Sequence, residues 1–148
     1  MKNFQFPLEK ALELRRTQLE LEEAKHKLQI AAVAAIDRRK AEVEASGVRA
    51  EIVVRQWSPI QSGDLAALGH YRLKVKAEES ALARHRFDAA QKLAAQQKQM
   101  LEARRRCRLL ERLKERRLAE WTSARDKEID EIAAESYLAR WSRRKPAE

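Results

Sequence analysis

Glycine and proline are nearly missing from this sequence, with three of each in 148 residues. Tight reversals depend on those two residues, so few can be written here. That argues against a β-sandwich and a doubly wound α/β domain. The single cysteine, Cys107, has no partner for an internal disulfide, which excludes a disulfide scaffold and suits a reducing compartment. Aromatic residues make up 5% of the chain. No run approaches 18 uncharged apolar residues, so no membrane span is expected. Near the N-terminus Glu9 and Glu13, then Arg15 and Arg16, break up any secretory apolar stretch. The expected location is the cytoplasm.

Helix-forming residues fill the space. The chain holds 25 Ala, 17 Leu, 18 Glu and 32 lysines and arginines, 92 of 148 residues. Such a composition with helical periodicity marks a coiled coil or long helix. Much of the 44% apolar content is alanine, so a globular core would be thin. Length allows one domain, taken as residues 1–148.

The only turn-rich cluster is Trp57-Ser58-Pro59-Ile60-Gln61-Ser62-Gly63-Asp64. Ser58 precedes proline and is driven out of the helical region. Ser62 or Asp64 can cap a new helix. Pro7 suits a first helical turn, where its missing N–H costs nothing. These signals predict helix one over about 7–57, a turn over 58–63 and helix two over about 64–142. The fold class expected is all-α: two long helices in an antiparallel coiled-coil hairpin. Gly47 marks a weak spot where helix one could kink.

Heptad spacing supplies the seam. In helix one it picks out Leu14, Leu21, Ala24, Leu28, Ala31 and Ala35. In helix two it picks out Leu68, Val75, Leu82, Ala89, Leu93, Met100, Ala103, Cys107 and Leu110. Arg72, Glu79, Arg86 and Gln96 interrupt that stripe. If Trp57 faces Asp64, facing positions add to about 121. Leu14 then meets Cys107, Leu21 meets Met100 and Leu28 meets Leu93. Pro7 falls opposite Lys114, leaving about 28 residues of helix two overhanging at its C-terminal end. The overhang would hold Leu118, Trp121, Ile129, Ile132, Tyr137, Leu138 and Trp141, which resemble binding hot spots.

The formal net charge is +9 and unevenly spread. Residues 104–117 carry eight basic side chains: Arg104, Arg105, Arg106, Arg108, Arg112, Lys114, Arg116 and Arg117. Only Glu111 and Glu115 oppose them. The block reads as a patch for an acidic partner, or as a solvated face. A nucleic acid is less suited, because no aromatic in the block could stack on bases.

Catalytic signals are missing. No Gly-rich phosphate loop occurs. His26, His70 and His85 stand apart along the helices, and Asp88 near His85 finds no third metal ligand. Cys107 among arginines could favour thiolate, but the heptad places it in the seam. The chain is expected not to be an enzyme and to need no cofactor or metal.

The N-terminal run Phe4-Gln5-Phe6-Pro7-Leu8-Glu9-Lys10-Ala11-Leu12-Glu13-Leu14-Arg15-Arg16 resembles the opening of the flagellar export protein FliJ family. That family starts Phe-x-Phe-x-Leu, then Leu-x-Leu-Arg. The Ser-Pro break and the Glu111–Arg117 segment are similar too. Virulence-system counterparts of the YscO type match the opening less well. Pro7 and Gly47 depart from the family pattern. The resemblance implies a stalk-like protein of type III export that binds the hexameric export ATPase (FliI-like) and promotes its assembly and activity. It further implies contact with the export gate (FlhA-like), escort of export chaperones, and a place at the cytoplasmic face of the inner membrane, reached through partners. The ATPase contact would use Arg104, Arg105, Arg106, Arg108, Arg112, Arg116, Arg117, Trp121, Ile129, Ile132 and Trp141. The gate contact would use Leu68, His70, Tyr71 and Val75. Two other classes remain open: a basic helical nucleic-acid binder and a dimerising structural coiled coil.

Overall fold

A computed structural model describes residues 3–144 of the chain. It holds two helices, α1 (Glu9–Gln56) and α2 (Ser62–Arg144), with no strand among the described residues. They pack as an antiparallel hairpin. The chain divides into two compact units. A terminal unit combines Met1–Gln18 with Ala103–Glu148, and a loop unit comprises Leu19–Glu102. No helix among the described residues is long and apolar enough to cross a membrane.

The turn falls in the expected cluster but over 57–61, so α2 starts two residues early, at Ser62. The Ser58-Pro59 peptide is cis. Gln61, before the first turn of α2, accepts backbone N–H bonds from Asp64 and Leu65 at 3.1 and 3.3 Å. Asp64 answers by accepting the Gln61 N–H at 3.1 Å. The carboxylate thus satisfies a donor left over at the helix start and sits at the favourable end of the helix dipole. Helix α1 starts at Glu9 rather than at Pro7. Pro7 and Leu8 form a turn closed by the Glu9 N–H on the Phe6 carbonyl at 3.1 Å.

The α1 seam differs from the leucine stripe that the heptads suggest. Leu14, Leu21 and Leu28 are 58, 55 and 70% exposed. The covered stripe runs through Leu12, Arg15, Leu19, Glu22, His26, Gln29, Val33, Ile36, Lys40, Val43, Gly47, Ala50 and Val54. Their spacing alternates three and four throughout, a complete heptad seam two residues out of phase with the expected one. Pairings of Leu14 with Cys107, Leu21 with Met100 and Leu28 with Leu93 therefore do not form. The physical reason is reach. The leucine stripe loses its apolar character after Ala35, while the observed seam carries Val33, Ile36, Val43 and Val54 on to the helix end. Burying that longer stripe removes more apolar surface from water.

In α2 the expected seam is the observed one. Leu68, Val75, Leu82, Ala89, Leu93, Met100, Ala103, Cys107 and Leu110 are all covered or partly covered, as is Gln96. Tyr71 and Glu78 join them. Of the other expected interruptions, Glu79 is partly covered, whereas Arg72 and Arg86 lie exposed at the rim and pair across it. Ion pairs fix the facing positions. In the loop unit Arg72 meets Glu51 at 2.9 Å, and Arg86 meets Asp37 at 2.6 Å. In the terminal unit Lys114 meets Glu9 at 2.7 Å. Each pair adds to 123, close to the expected 121. Pairs at the rim of a seam contribute about 0–1 kcal/mol each, so they select register more than they stabilise.

Gly47 leaves α1 unbroken. It faces Val75, whose Cγ1 lies 3.4 Å from where a Cβ on Gly47 would stand. Ile52, Val53 and Val54 are likewise helical.

Candidate functional site

The terminal unit brings together the N-terminal signature and the arginine block. Leu12 is fully buried, Cys107 is 2% exposed and Phe6 is 8% exposed. Phe4 and Phe6 precede α1 and continue its path along α2. The Phe4 ring lies 6.0 Å from Trp121, tilted by 55°, and the Arg125 guanidinium sits 5.3 Å from the Trp121 ring on the same helix. Phe4, Trp121 and Arg125 form a clasp. Such aromatic and cation–π contacts contribute about 0.5–1.5 kcal/mol each beyond burial.

Trp121 is therefore half-buried and not part of an uncovered overhang. The uncovered stretch begins at Asp126, and the described part runs to Arg144. Its start has a chemical cause. Continuing the seven-residue repeat of the α2 seam from Cys107, Lys114 and Trp121 leads to Glu128, Glu131 and Glu135. An apolar stripe becomes a row of carboxylates, and nothing there can bury a facing helix. Ile129, Ile132, Tyr137, Leu138 and Trp141 are exposed. They lie around the helix and share no single face.

The arginine block divides by direction. Toward α1, Lys114 holds Glu9 and Glu111 takes Arg16 at 3.3 Å. Away from α1, Arg108, Arg112 and Arg116 recur every four residues, with Arg105 beside them. That spacing lines up a row on one flank of a helix. All four are exposed. None of them has an ion pair with a described residue. Arg104 is partly covered, and Arg106 and Arg117 lie on the other flank, Arg117 pairing with Glu120 at 3.1 Å.

Cys107 is a packing residue. Burial, then the carboxylate of Glu111, pushes its thiol above the ordinary value, outweighing Arg16. Its S–H points to Glu111 Oε1 at 3.8 Å. The neighbouring arginines therefore do not make it a thiolate.

At the other candidate surface the four residues split. Leu68, Tyr71 and Val75 face α1, whereas His70 is exposed. Tyr71 donates its hydroxyl to Ser46 Oγ at 3.2 Å, and Ser46 donates to the Val43 carbonyl at 2.7 Å. These three residues border a groove of about 410 Å³, whose rim carries Arg49 and Lys74. A surface there offers His70 and the rim cations more than Leu68.

His26 lies in the α1 seam, half-covered beside Glu22 and Gln29. Gln96 donates to the Glu22 carboxylate and to its backbone carbonyl. The Gln96 bond, then Lys25, holds the Glu22 carboxyl below its ordinary value. His85 and Asp88 border a second groove, of about 440 Å³, with Lys92 and Gln29. No group of three His, Cys, Asp or Glu residues among the described residues could hold a metal ion.

No protein-family model, curated protein or solved structure matches this chain. Function must be argued from the site itself.

Proposed function

We propose that this chain is a non-enzymatic, stalk-like component of the flagellar type III export apparatus. It binds the hexameric export ATPase, promotes ring assembly and turnover, and links the ring to the export gate and to export chaperones. It works at the cytoplasmic face of the inner membrane, held there by these partners. The observation that carries the reading is the outward arginine row Arg105, Arg108, Arg112 and Arg116 in the same unit as the Phe-x-Phe clasp. The Phe-x-Phe-x-Leu opening that resembles the FliJ family supports it, because its Phe4 and Phe6 are covered in the same unit as the row.

The mechanism follows from shape and charge. A helix pair placed on a ring axis touches the subunits unequally. It can bias subunit association and nucleotide state without doing chemistry. Guanidinium groups suit such contacts, since each offers a planar fork of donors to a carboxylate.

The test is ATPase turnover with purified export ATPase. Reversing Arg105, Arg108 and Arg112 to Glu lowers stimulation at least tenfold while helix content is unchanged. Unchanged stimulation overturns the proposal. Loss of steeply salt-dependent DNA binding in the same variant, with stimulation retained, favours the nucleic-acid reading instead.

A further inference from the structure

The outward face of α2 changes sign along its length. Residues 104–117 carry eight basic and two acidic side chains, and residues 126–135 carry five acidic and one basic. Both stretches belong to the terminal unit. In the seven-residue frame of the seam, Arg105, Arg112 and Arg116 point away from α1, and Arg108 lies on the flank beside them. Asp126, Asp130, Ala133 and Tyr137 hold the equivalent outward positions further along, and all are exposed. Asp130 has no ion pair with a described residue, and Asp126 pairs only with its partly covered neighbour Arg125 at 2.9 Å. Between the two stretches the outward positions are Ala119 and Ser123, both small.

We propose that two copies of this chain associate through this face, with their α2 helices antiparallel and a two-fold axis near Trp121. Arg112 then lies opposite Asp130 of the second copy and Arg116 opposite its Asp126. The two-fold repeats both pairs. Arg105 meets the face of Tyr137, and Leu109 meets Ala133. The small midpoint residues let the two backbones approach. Such an interface is self-complementary, as a two-fold dimer requires. Opposite charges facing across it select the antiparallel direction, because a parallel pair would set like charges together.

The consequence is regulatory. The second copy covers the arginine row that an acidic partner would use, so self-association and partner binding compete. The inference goes beyond the proposed function, and its test needs no other protein.

The experiment is sedimentation of the full chain with two variants, Arg112→Asp/Arg116→Asp and Asp126→Arg/Asp130→Arg. All four positions are exposed, and circular dichroism verifies that each variant keeps its helices. The natural chain self-associates at low salt and dissociates as salt rises. Each variant alone faces like charges and associates at least tenfold more weakly. Mixing the two variants restores association, since the reversed groups pair while the natural ones pair on the other side of the axis. A monomeric natural chain at low salt and high concentration overturns the proposal. So does failure of the mixed variants to associate, or unchanged association of either variant alone.

Discussion

Residues 103–125 and 126–144 of α2 belong to one unbroken helix in one unit, yet only the first stretch is covered. The first presents Ala103, Cys107, Leu110 and Trp121 to α1 and to the Phe4–Phe6 segment. The second presents Glu128, Glu131 and Glu135 at the equivalent positions. Total apolar content hardly separates them, since the second stretch has Ile129, Ile132, Tyr137, Leu138 and Trp141. Phase separates them. Pairing ends where apolar residues leave the seam, not where they leave the helix.

The largest effect that would break this comparison comes from the seam. Leu12→Ala, at the most buried side chain, costs about 2–5 kcal/mol in urea unfolding. Leu14→Ala, two residues away on the outer face, costs about 0.5 kcal/mol or less. Equal losses would mean that the leucine stripe does the packing after all. Chain cuts give a smaller effect and locate the boundary. Ending the chain after Arg125 leaves the unfolding midpoint unchanged. Ending it after Leu118 removes Trp121 and lowers stability by about 1 kcal/mol or more, since the aromatic clasp is lost. A large loss from the first cut would place the tail within the core. The smallest effect is one of pH. Glu22 has its carboxyl lowered by Gln96, so its contribution is present above the ordinary carboxylate value of 4.5 and fades as pH falls through the lowered one. Glu22→Gln flattens the acid limb of stability slightly, as thermal melts between pH 3 and about 6 would record.

The hairpin was legible because its turn chemistry is concentrated in one place. Ser58-Pro59 and Asp64 fix the reversal, and the reversal fixes which positions face each other. The α2 seam was legible because Leu, Val, Met and Cys mark a single stripe. The α1 phase was not, because that helix carries two heptad stripes on opposite faces. Leucine is the bulkier signal, so Leu14, Leu21 and Leu28 outweigh a seam holding Arg15, Glu22, His26, Gln29 and Lys40. Following both stripes to Val54 would have decided between them. The arginine block was plain as composition, but its outward row needed the phase. Trp121 was misplaced because Phe4 and Phe6 lie before the helix, where periodicity says nothing about packing.

The uncovered stretch beyond Arg125 has a dynamic consequence. Its residues are exposed along the described length, and a helix without a facing partner is marginal in water. Its amides therefore exchange with solvent through local opening, independently of the clasped residues behind it. A partner that grips the tail must supply the free energy of ordering it, and can release it without disturbing Leu12, Cys107 or the ring of Phe4.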